Sequence, residues 1–260
     1  MGGVSCCASR DSNASGSSAV VGPSVMKLKK AGLHDTGLII GIDFTISNNY
    51  NGIISFGGLP LHKIFEDSTM NFYEQVIDTV GRTLWEINQD KIPTFVFGDI
   101  DTTDDSVKPL NSKPYSGSNE EIKDISSVLQ SYREVAPVIS MFAPRSLKPL
   151  IGAAISIQKK KGSFQTLLAI VNGAVANPAE NIAIIEEAAK YPLAIVVIGV
   201  GDGDDGWAPM QQMSEEIQRK GHKHFHFSHY SPAATSTDFV NNSLAFLPQH
   251  YLDCNRKKLI

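Results

Sequence analysis

From residue 37 onward, short apolar runs alternate with longer segments in which apolar residues recur every three or four positions. The short runs predict strands at residues 38–42, 94–97, 166–171, 193–200 and 224–227. Leu38-Ile39-Ile40-Gly41-Ile42 and Ile195-Val196-Val197-Ile198 are continuously apolar. That is the pattern of strands covered on both faces, since a half-solvated strand would alternate. The longer segments predict helices at residues 71–89, 120–135, 147–159, 179–190, 207–220 and 237–247. In the first, Phe72, Val76, Val80 and Leu84 fall four apart and define one buried face, with Ile77 and Ile87 at its border. Pro137 stops the second, and Leu150, Ile151, Ala154 and Ile157 line the third. Residues 53–58 read as a short strand and turn. Strands alternating with helices give an α/β fold, a doubly wound, mostly parallel sheet with helices on both faces.

The first run breaks at Asp43 into a polar loop with oxygen-bearing side chains at alternate positions: Asp43, Thr45 and Ser47. Ligands of open α/β sheets bind beyond the carboxyl ends of strands, and hard divalent cations take oxygen ligands of this kind. The same three residue types are also ordinary helix caps, so the triplet fits either a metal site or a capping turn.

Composition narrows what else can be present. At 260 residues there is room for a tail and one well-buried α/β domain. A charged fraction of 19% and a formal net charge of −4 argue against a nucleic-acid binder. No run approaches the ~18 apolar residues of a spanning helix. Three cysteines, Cys6, Cys7 and Cys254, supply no disulfide framework.

The first residues have a chemistry of their own. Met1-Gly2-Gly3-Val4-Ser5-Cys6-Cys7 places glycine after the initiator methionine, as N-myristoylation requires, with Cys6 where the usual pattern has Ser or Thr. Adjacent Cys6 and Cys7 suit palmitoylation. One myristoyl chain alone binds membranes marginally, so a second acyl group or the cations Lys27, Lys29 and Lys30 would complete the anchor. Residues 1–36 are therefore expected to be a flexible, lipidated tail. It would hold the protein on the cytoplasmic face of a membrane, with a cytosolic pool. Residues 37–252 would form the domain and 253–260 a short basic tail.

The wording of several segments resembles a known family. Gly41-Ile42-Asp43-Phe44-Thr45-Ile46-Ser47-Asn48 is similar to the opening of the copine-type von Willebrand factor A (vWA) domain, where Asp-Phe-Thr-x-Ser-Asn begins a metal-ion-dependent adhesion site. Phe95-Val96-Phe97-Gly98-Asp99 resembles the family's second core strand, and Ala143-Pro144-Arg145-Ser146-Leu147-Lys148-Pro149-Leu150-Ile151 its Gly-Pro-Thr-x-x-x-Pro-Leu-Ile loop. Leu168 to Val175 and Ile195 to Gly203 resemble the two strands that follow. The likeness covers about residues 37–250, in order, and is nearest to the vWA part of plant copine-like RING ubiquitin ligases. It implies a Rossmann-like vWA sheet with one antiparallel edge strand, for which residues 53–58 are the expected segment.

At the implied metal site the chain departs from that pattern. Asp43, Thr45 and Ser47 are present, but Arg145 stands at the second-loop threonine, beside Ser146, and Asn172 at the third-loop aspartate. One carboxylate is gone and a guanidinium has arrived, and both changes weaken cation binding. Arginine's planar fork suits a carboxylate, so Arg145 is expected to pair with Asp43 in place of the metal. The alternative is an Arg145 turned to solvent and a weak Mg²⁺ site that keeps several waters.

Two further motifs compete for attention. Gly201-Asp202-Gly203-Asp204-Asp205-Gly206 fits G-x-G-x-x-G, yet three aspartates would line a loop meant to hold a pyrophosphate. The family's Gly-Val-Gly-Asp-Gly accounts for it better, and no nucleotide is expected. His222, His224 and His226 could share one strand face and bind zinc or copper. The favoured alternative is an edge strand with histidines toward solvent and Phe225 and Phe227 toward the core. No hydrolase, cysteine-protease or phosphate-loop motif is present.

Copine lipid-binding domains and the ligases' RING, which needs about eight Cys and His ligands, are not expected in this chain. The reading is a non-enzymatic, membrane-tethered module. It presents Asp43, Ser47, Arg145, Ser146 and Asn172 to a protein ligand, with no nucleic acid and at most a weakly held Mg²⁺. The alternatives are a substrate-recruiting component of a ubiquitin-ligase system and a conventional Mg²⁺-dependent adhesion module.

Overall fold

The computed structural model describes residues 23–34, 36–88, 90–103, 106–115, 121–143, 146–203, 206–232 and 236–260. Six strands form one sheet: β1 (Gly37–Asp43), β2 (Thr94–Phe97), β3 (Lys108–Pro109), β4 (Gln165–Val171), β5 (Leu193–Gly199) and β6 (Phe225–His229). Their order across the sheet is β3-β2-β1-β4-β5-β6. Every pairing is parallel except that of β3, which runs antiparallel to β2. The doubly wound, mostly parallel sheet with one antiparallel edge strand is therefore present.

That edge strand is not the expected one. Residues 53–58 form turns, and Ile53 and Ile54 are 65% and 85% exposed. The antiparallel partner is the two-residue β3. Its Val107-Lys108-Pro109 surroundings carry no strand-length apolar run, so periodicity had nothing to register.

The helices are α1 (Pro23–Lys30), α2 (Phe72–Val76), α3 (Arg82–Trp85), α4 (Ile125–Val135), α5 (Lys148–Lys161), α6 (Pro178–Ala188), α7 (Ala208–Arg219), α8 (Ser236–Leu244) and α9 (Leu247–Arg256). A π-turn, Ile77–Gly81, joins α2 to α3, so the segment expected as one helix bulges at its middle. Asn71 caps it in a reciprocal capping box with Glu74. Successive side chains of the long strands point to opposite faces and both faces are covered. Leu38, Ile40, Ile42, Leu168, Ile170, Val196 and Ile198 share a core with residues of α1 to α4, α8 and α9. Ile39, Leu167, Ala169, Val171, Ile195 and Val197 share the other with α5, α6 and α7. At Gly41 a Cβ would meet Leu150 Cδ2 at 2.3 Å, so this glycine lets α5 lie directly on β1.

Both proposed boundaries shift. Residues 1–36 are not all tail, because α1 buries Val25 and Leu28 in the core and Leu33 follows them. At the other end Cys254 is buried, so the fold continues through α9. Both segments are short and lysine-rich or polar, which hid their apolar faces. The lipidation residues Gly2, Cys6 and Cys7, and Arg145, lie outside the described residues.

Candidate functional site

At the carboxyl ends of β1 and β4 the chain gathers Asp43, Thr45, Ser47 and Asn172, all buried. One oxygen of Asp43 accepts the Thr45 amide at 2.8 Å and the other the Asn172 amide at 3.3 Å. The Thr45 and Ser47 hydroxyls lie 3.1 Å apart. The Ser47 hydroxyl is 2.6 Å from the Asn172 carboxamide oxygen, to which it donates. The Asn172 NH₂ faces Thr45 Oγ1 and the Tyr73 hydroxyl at 3.3 and 3.2 Å. Tyr73 donates in turn to the Asp43 carbonyl at 3.0 Å.

Two asparagines brace this cluster. Asn48 donates to the carbonyls of Asp43 and Thr45, and Asn51 to that of Asn172 at 2.6 Å. Residues 46–49 turn in a 3-10 helix right after Thr45, and the Ser47 hydroxyl reaches Thr45 and Asn172. Gly98, at φ 81°, closes the floor: a Cβ there would meet Thr45 Cγ2 at 2.4 Å. The structure thus brings the three residues of the metal-loop reading together with Asn172. Asn48, Asn51 and Tyr73 were missed. The Asn-rich run after Ser47 was a usable signal for the first two, and nothing marked Tyr73.

Ser146 lines a cavity of about 230 Å³ with Phe97, Gly98, Thr102, Asn177 and Glu180. Its hydroxyl accepts the Lys148 amide at 3.2 Å. Next to it a second buried carboxylate, Asp99, caps its own turn through Thr102 and takes the Tyr115 hydroxyl at 2.8 Å. Burial, reinforced by that bond to Asp99, pushes the Tyr115 phenol far above its ordinary pKa.

Around the polar cluster stand exposed apolar side chains: Ile46 at 48%, Tyr50 at 50%, Phe142 at 47% and Ile54 at 85%. Ile46 and Phe142 are tied by an Ile46 N–H to Phe142 carbonyl bond of 2.8 Å. The tip at Ile53-Ile54 is held from the glycine-rich loop after β5, where the Asp202 carboxylate accepts the amides of Ile54 and Ser55, both at 2.8 Å. Burial raises the Asp202 pKa, but these amide bonds outweigh it and leave the carboxyl below the usual range.

The histidines do not divide as expected. Phe225 and Phe227 are buried, but so is His224, whose Nε2 meets the Ile185 carbonyl at 2.7 Å. His226 is half-buried and stacks on Phe246. A face predicted to be wet lies beneath the helices that follow β6, which the strand pattern could not reveal. Among the described residues no group of three or more His, Cys, Asp and Glu could hold a metal ion.

The sheet order, the single antiparallel edge and a polar cluster at the β1–β4 carboxyl ends define a vWA-type α/β domain. A copine family model matches residues 60–260. Copine family protein 2 of Caenorhabditis elegans is 37% identical over 234 residues, covering 87% of this chain and 3% of that protein. E3 ubiquitin-protein ligase RGLG5 of Arabidopsis thaliana is 34% identical over 247 residues, covering 86% of this chain and 55% of that one. The crystal structure of manganese-loaded TRAP protein from Plasmodium vivax superposes with a TM-score of 0.50 at 12% identity. It covers 84% of this chain and 74% of that one, a likeness of fold. The chain belongs to the copine family. It spans at most about half the length of these two curated relatives.

Proposed function

We propose that the chain is a non-enzymatic module that binds a protein ligand at the carboxyl-end face of its sheet. On this reading N-terminal acylation at Gly2, Cys6 and Cys7 holds it to the cytoplasmic face of a membrane, with a cytosolic pool. The observation that carries the binding face is the ring of exposed Ile46, Tyr50, Ile53, Ile54 and Phe142 around a closed polar cluster. Apolar groups presented together on a rigid polar frame mark interaction surfaces. The vWA fold itself supports an interaction module.

The adhesion site is read as degenerate. Its described donors are one carboxylate, two hydroxyls and one carboxamide. The Ser47 hydroxyl and the Asn172 oxygen are turned on each other, and both Asp43 oxygens accept backbone amides. A conventional Mg²⁺ site fits this set poorly, because the third-loop carboxylate is replaced by a neutral amide and the second-loop threonine by Arg145. Arg145 would supply the positive charge beside Asp43 that a cation supplies elsewhere.

Calorimetry tests the cation reading. Wild type should show no Mg²⁺ or Mn²⁺ heat, and Arg145→Thr with Asn172→Asp should regain it. Tight Mg²⁺ binding by wild type would return the chain to a conventional adhesion module. Capture from cytosol by wild type and by Ile53→Ser with Ile54→Ser tests the binding face. Proteins held by the first and lost by the second are its ligands, and an identical set would sink the reading. The tether is tested by Gly2→Ala, which should move the protein to the soluble fraction. A second reading, recruitment of substrates to a separate ubiquitin ligase, draws on the Arabidopsis relative's name. It would be favoured if the captured set contains a ligase.

A further inference from the structure

The two ends of the described chain meet at the end of the sheet opposite the candidate site. α1 contacts both α8 and α9, and a Cβ on Gly32 would lie 3.5 Å from the Tyr251 ring. α9 is fixed at the amino end of β5 by His250, whose Nε2 is 3.1 Å from the Leu193 carbonyl. The Leu259 amide donates to the Cys254 carbonyl at 3.0 Å and folds the last residues back onto α9.

This end is cationic. Lys27, Lys30, Arg256, Lys257 and Lys258 are exposed and Lys29 is half-buried. Other lysines here are already taken up: Lys161 by Asp90, Lys190 by Glu187 and Lys220 by Glu186. Arg256 keeps Asp253 at 2.8 Å. Among the described residues no ion pair engages Lys27, Lys29, Lys30, Lys257 or Lys258. Three exposed apolar side chains stand on the same two segments: Met26 at 50%, Leu252 at 40% and Ile260 at 38%. At the other end of the sheet the loops after β2 and β5 are rich in aspartate. A chain of net charge −4 thus gathers at one end five lysines that no ion pair engages among the described residues.

We propose that the α1–α9 end is a docking surface for an anionic lipid leaflet. Long-stemmed cations reach lipid phosphates and carboxylates, and the interleaved Met26, Leu252 and Ile260 enter the boundary between headgroups and acyl chains. The segment that carries Gly2, Cys6 and Cys7 joins the fold at α1, so an acyl anchor and this surface would engage the same bilayer. The polar cluster and its apolar ring would then face away from the membrane, toward soluble partners. The inference takes its biological setting from the membrane-tethered reading, but its chemistry stands without acylation.

The test therefore uses full-length Gly2→Ala protein, sedimented with vesicles of phosphatidylcholine alone or with about 30% phosphatidylserine. The protein should bind the serine-containing vesicles, ignore the neutral ones and be released at about 0.5 M salt, where screening is nearly complete within a few ångströms. Each cation removed should weaken partitioning on the order of five-fold. Lys27→Glu with Lys30→Glu, and separately Lys257→Glu with Lys258→Glu, should each cut binding well over ten-fold. Lys63→Glu with Lys148→Glu, at the other end, should leave it unchanged. Thermal melts confirm that each variant is folded.

Absence of binding to the serine-containing vesicles would overturn the proposal, as would equal losses from the Lys63 and Lys148 changes. So would binding to a single-stranded RNA probe, through the same lysines, by protein that ignores vesicles. That result would make the surface a nucleic-acid site. Membrane release of acylated protein by Gly2→Ala in cells reports on the tether alone, so the two readings fail separately.

Discussion

The Ser47 hydroxyl donates to the Asn172 carboxamide oxygen over 2.6 Å, joining residues 125 positions apart and closing the loop after β1 onto the end of β4. The amide is suited to this place because it does two opposite things. Its oxygen accepts from Ser47, and its NH₂ donates to Thr45 and Tyr73. The Tyr73 proton is committed to the Asp43 carbonyl, so Tyr73 must be an acceptor for Asn172.

A carboxylate at 172 would therefore lose a donor and add a negative charge close to Asp43. Asn172→Asp alone should destabilise the fold by about 1–3 kcal/mol in the presence of chelator, the cost of leaving buried polar groups mismatched. Urea denaturation with and without Mg²⁺ measures it. Unchanged stability in chelator would mean that the amide is not what holds the cluster.

How much of this was legible depends on distance along the chain. Strands buried on both faces, such as β4 and β5, announce themselves as apolar runs, and Asp43, Thr45 and Ser47 sit in one short loop that sequence can show. Asn172 was reached through resemblance. Tyr73 was not reached at all, because its role exists only once α2 is packed beside β1. The tip at residues 53–58 misled for a related reason. Apolar residues usually mean burial, but Ile53 and Ile54 are displayed, and only the Asp202 contact explains how. In α9 the buried positions are Leu247, His250 and Cys254, whose mixed chemistry conceals an inward face.

His224 makes stability depend on acid. Burial is the main cause that lowers its pKa to about 4, with the Ile185 carbonyl bond partly opposing it. A histidine depressed in the folded state binds its proton more readily when unfolded. Its contribution is complete above the unfolded value near 6.5 and is lost as pH falls from there toward about 4. The loss should be on the order of 3 kcal/mol for this residue, with His250, lowered by burial in the same way, adding to it. His224→Gln can keep a donor toward Ile185 but cannot titrate. Its denaturation midpoint should change much less between pH 7 and 4.5 than that of wild type. Parallel pH profiles for the two proteins would place the acid sensitivity elsewhere.

Glu74 is a fully buried carboxylate that caps Asn71 and receives Arg133 Nε at 2.5 Å. The Arg133 side chain is 36% exposed, so solvent screens part of the pairing. Among the described residues, removing it leaves the buried charge with the Asn71 amide alone. Arg133→Ala should cost about 2 kcal/mol, below the 3–5 typical when a fully buried pair is broken. Arg133→Ala with Glu74→Gln should recover much of that, because the uncompensated charge is gone. Equilibrium denaturation of both variants decides it. A double variant less stable than the single one would show that the Glu74 charge serves the capping box more than the ion pair.

Asp202 sets the posture of the apolar tip without contributing much to the fold. It accepts the amides of Ile54 and Ser55, which are exposed, so water can replace it on both when the carboxylate is removed. The loss of global stability from Asp202→Ala should therefore be under about 1 kcal/mol. What changes is local order: two charge-assisted bonds that fix a pair of exposed isoleucines disappear. Amide exchange at Ile54 and Ser55 should accelerate by about ten-fold or more while core strands are unaffected. Ligands that depend on Ile53 and Ile54 should be captured less well, because a loosened tip must be ordered again on binding. Gly201→Ala should act on the same contact from the other side. Gly201 has φ 83°, and a Cβ there would lie 2.4 Å from the Asn51 carbonyl oxygen, which also accepts the Asp202 amide at 2.7 Å. That variant should push the two loops apart and lower stability as well as capture. If Asp202→Ala leaves exchange at Ile54 and Ser55 untouched, the tip is ordered by its own turns. The glycine-rich loop would then have no part in presenting it.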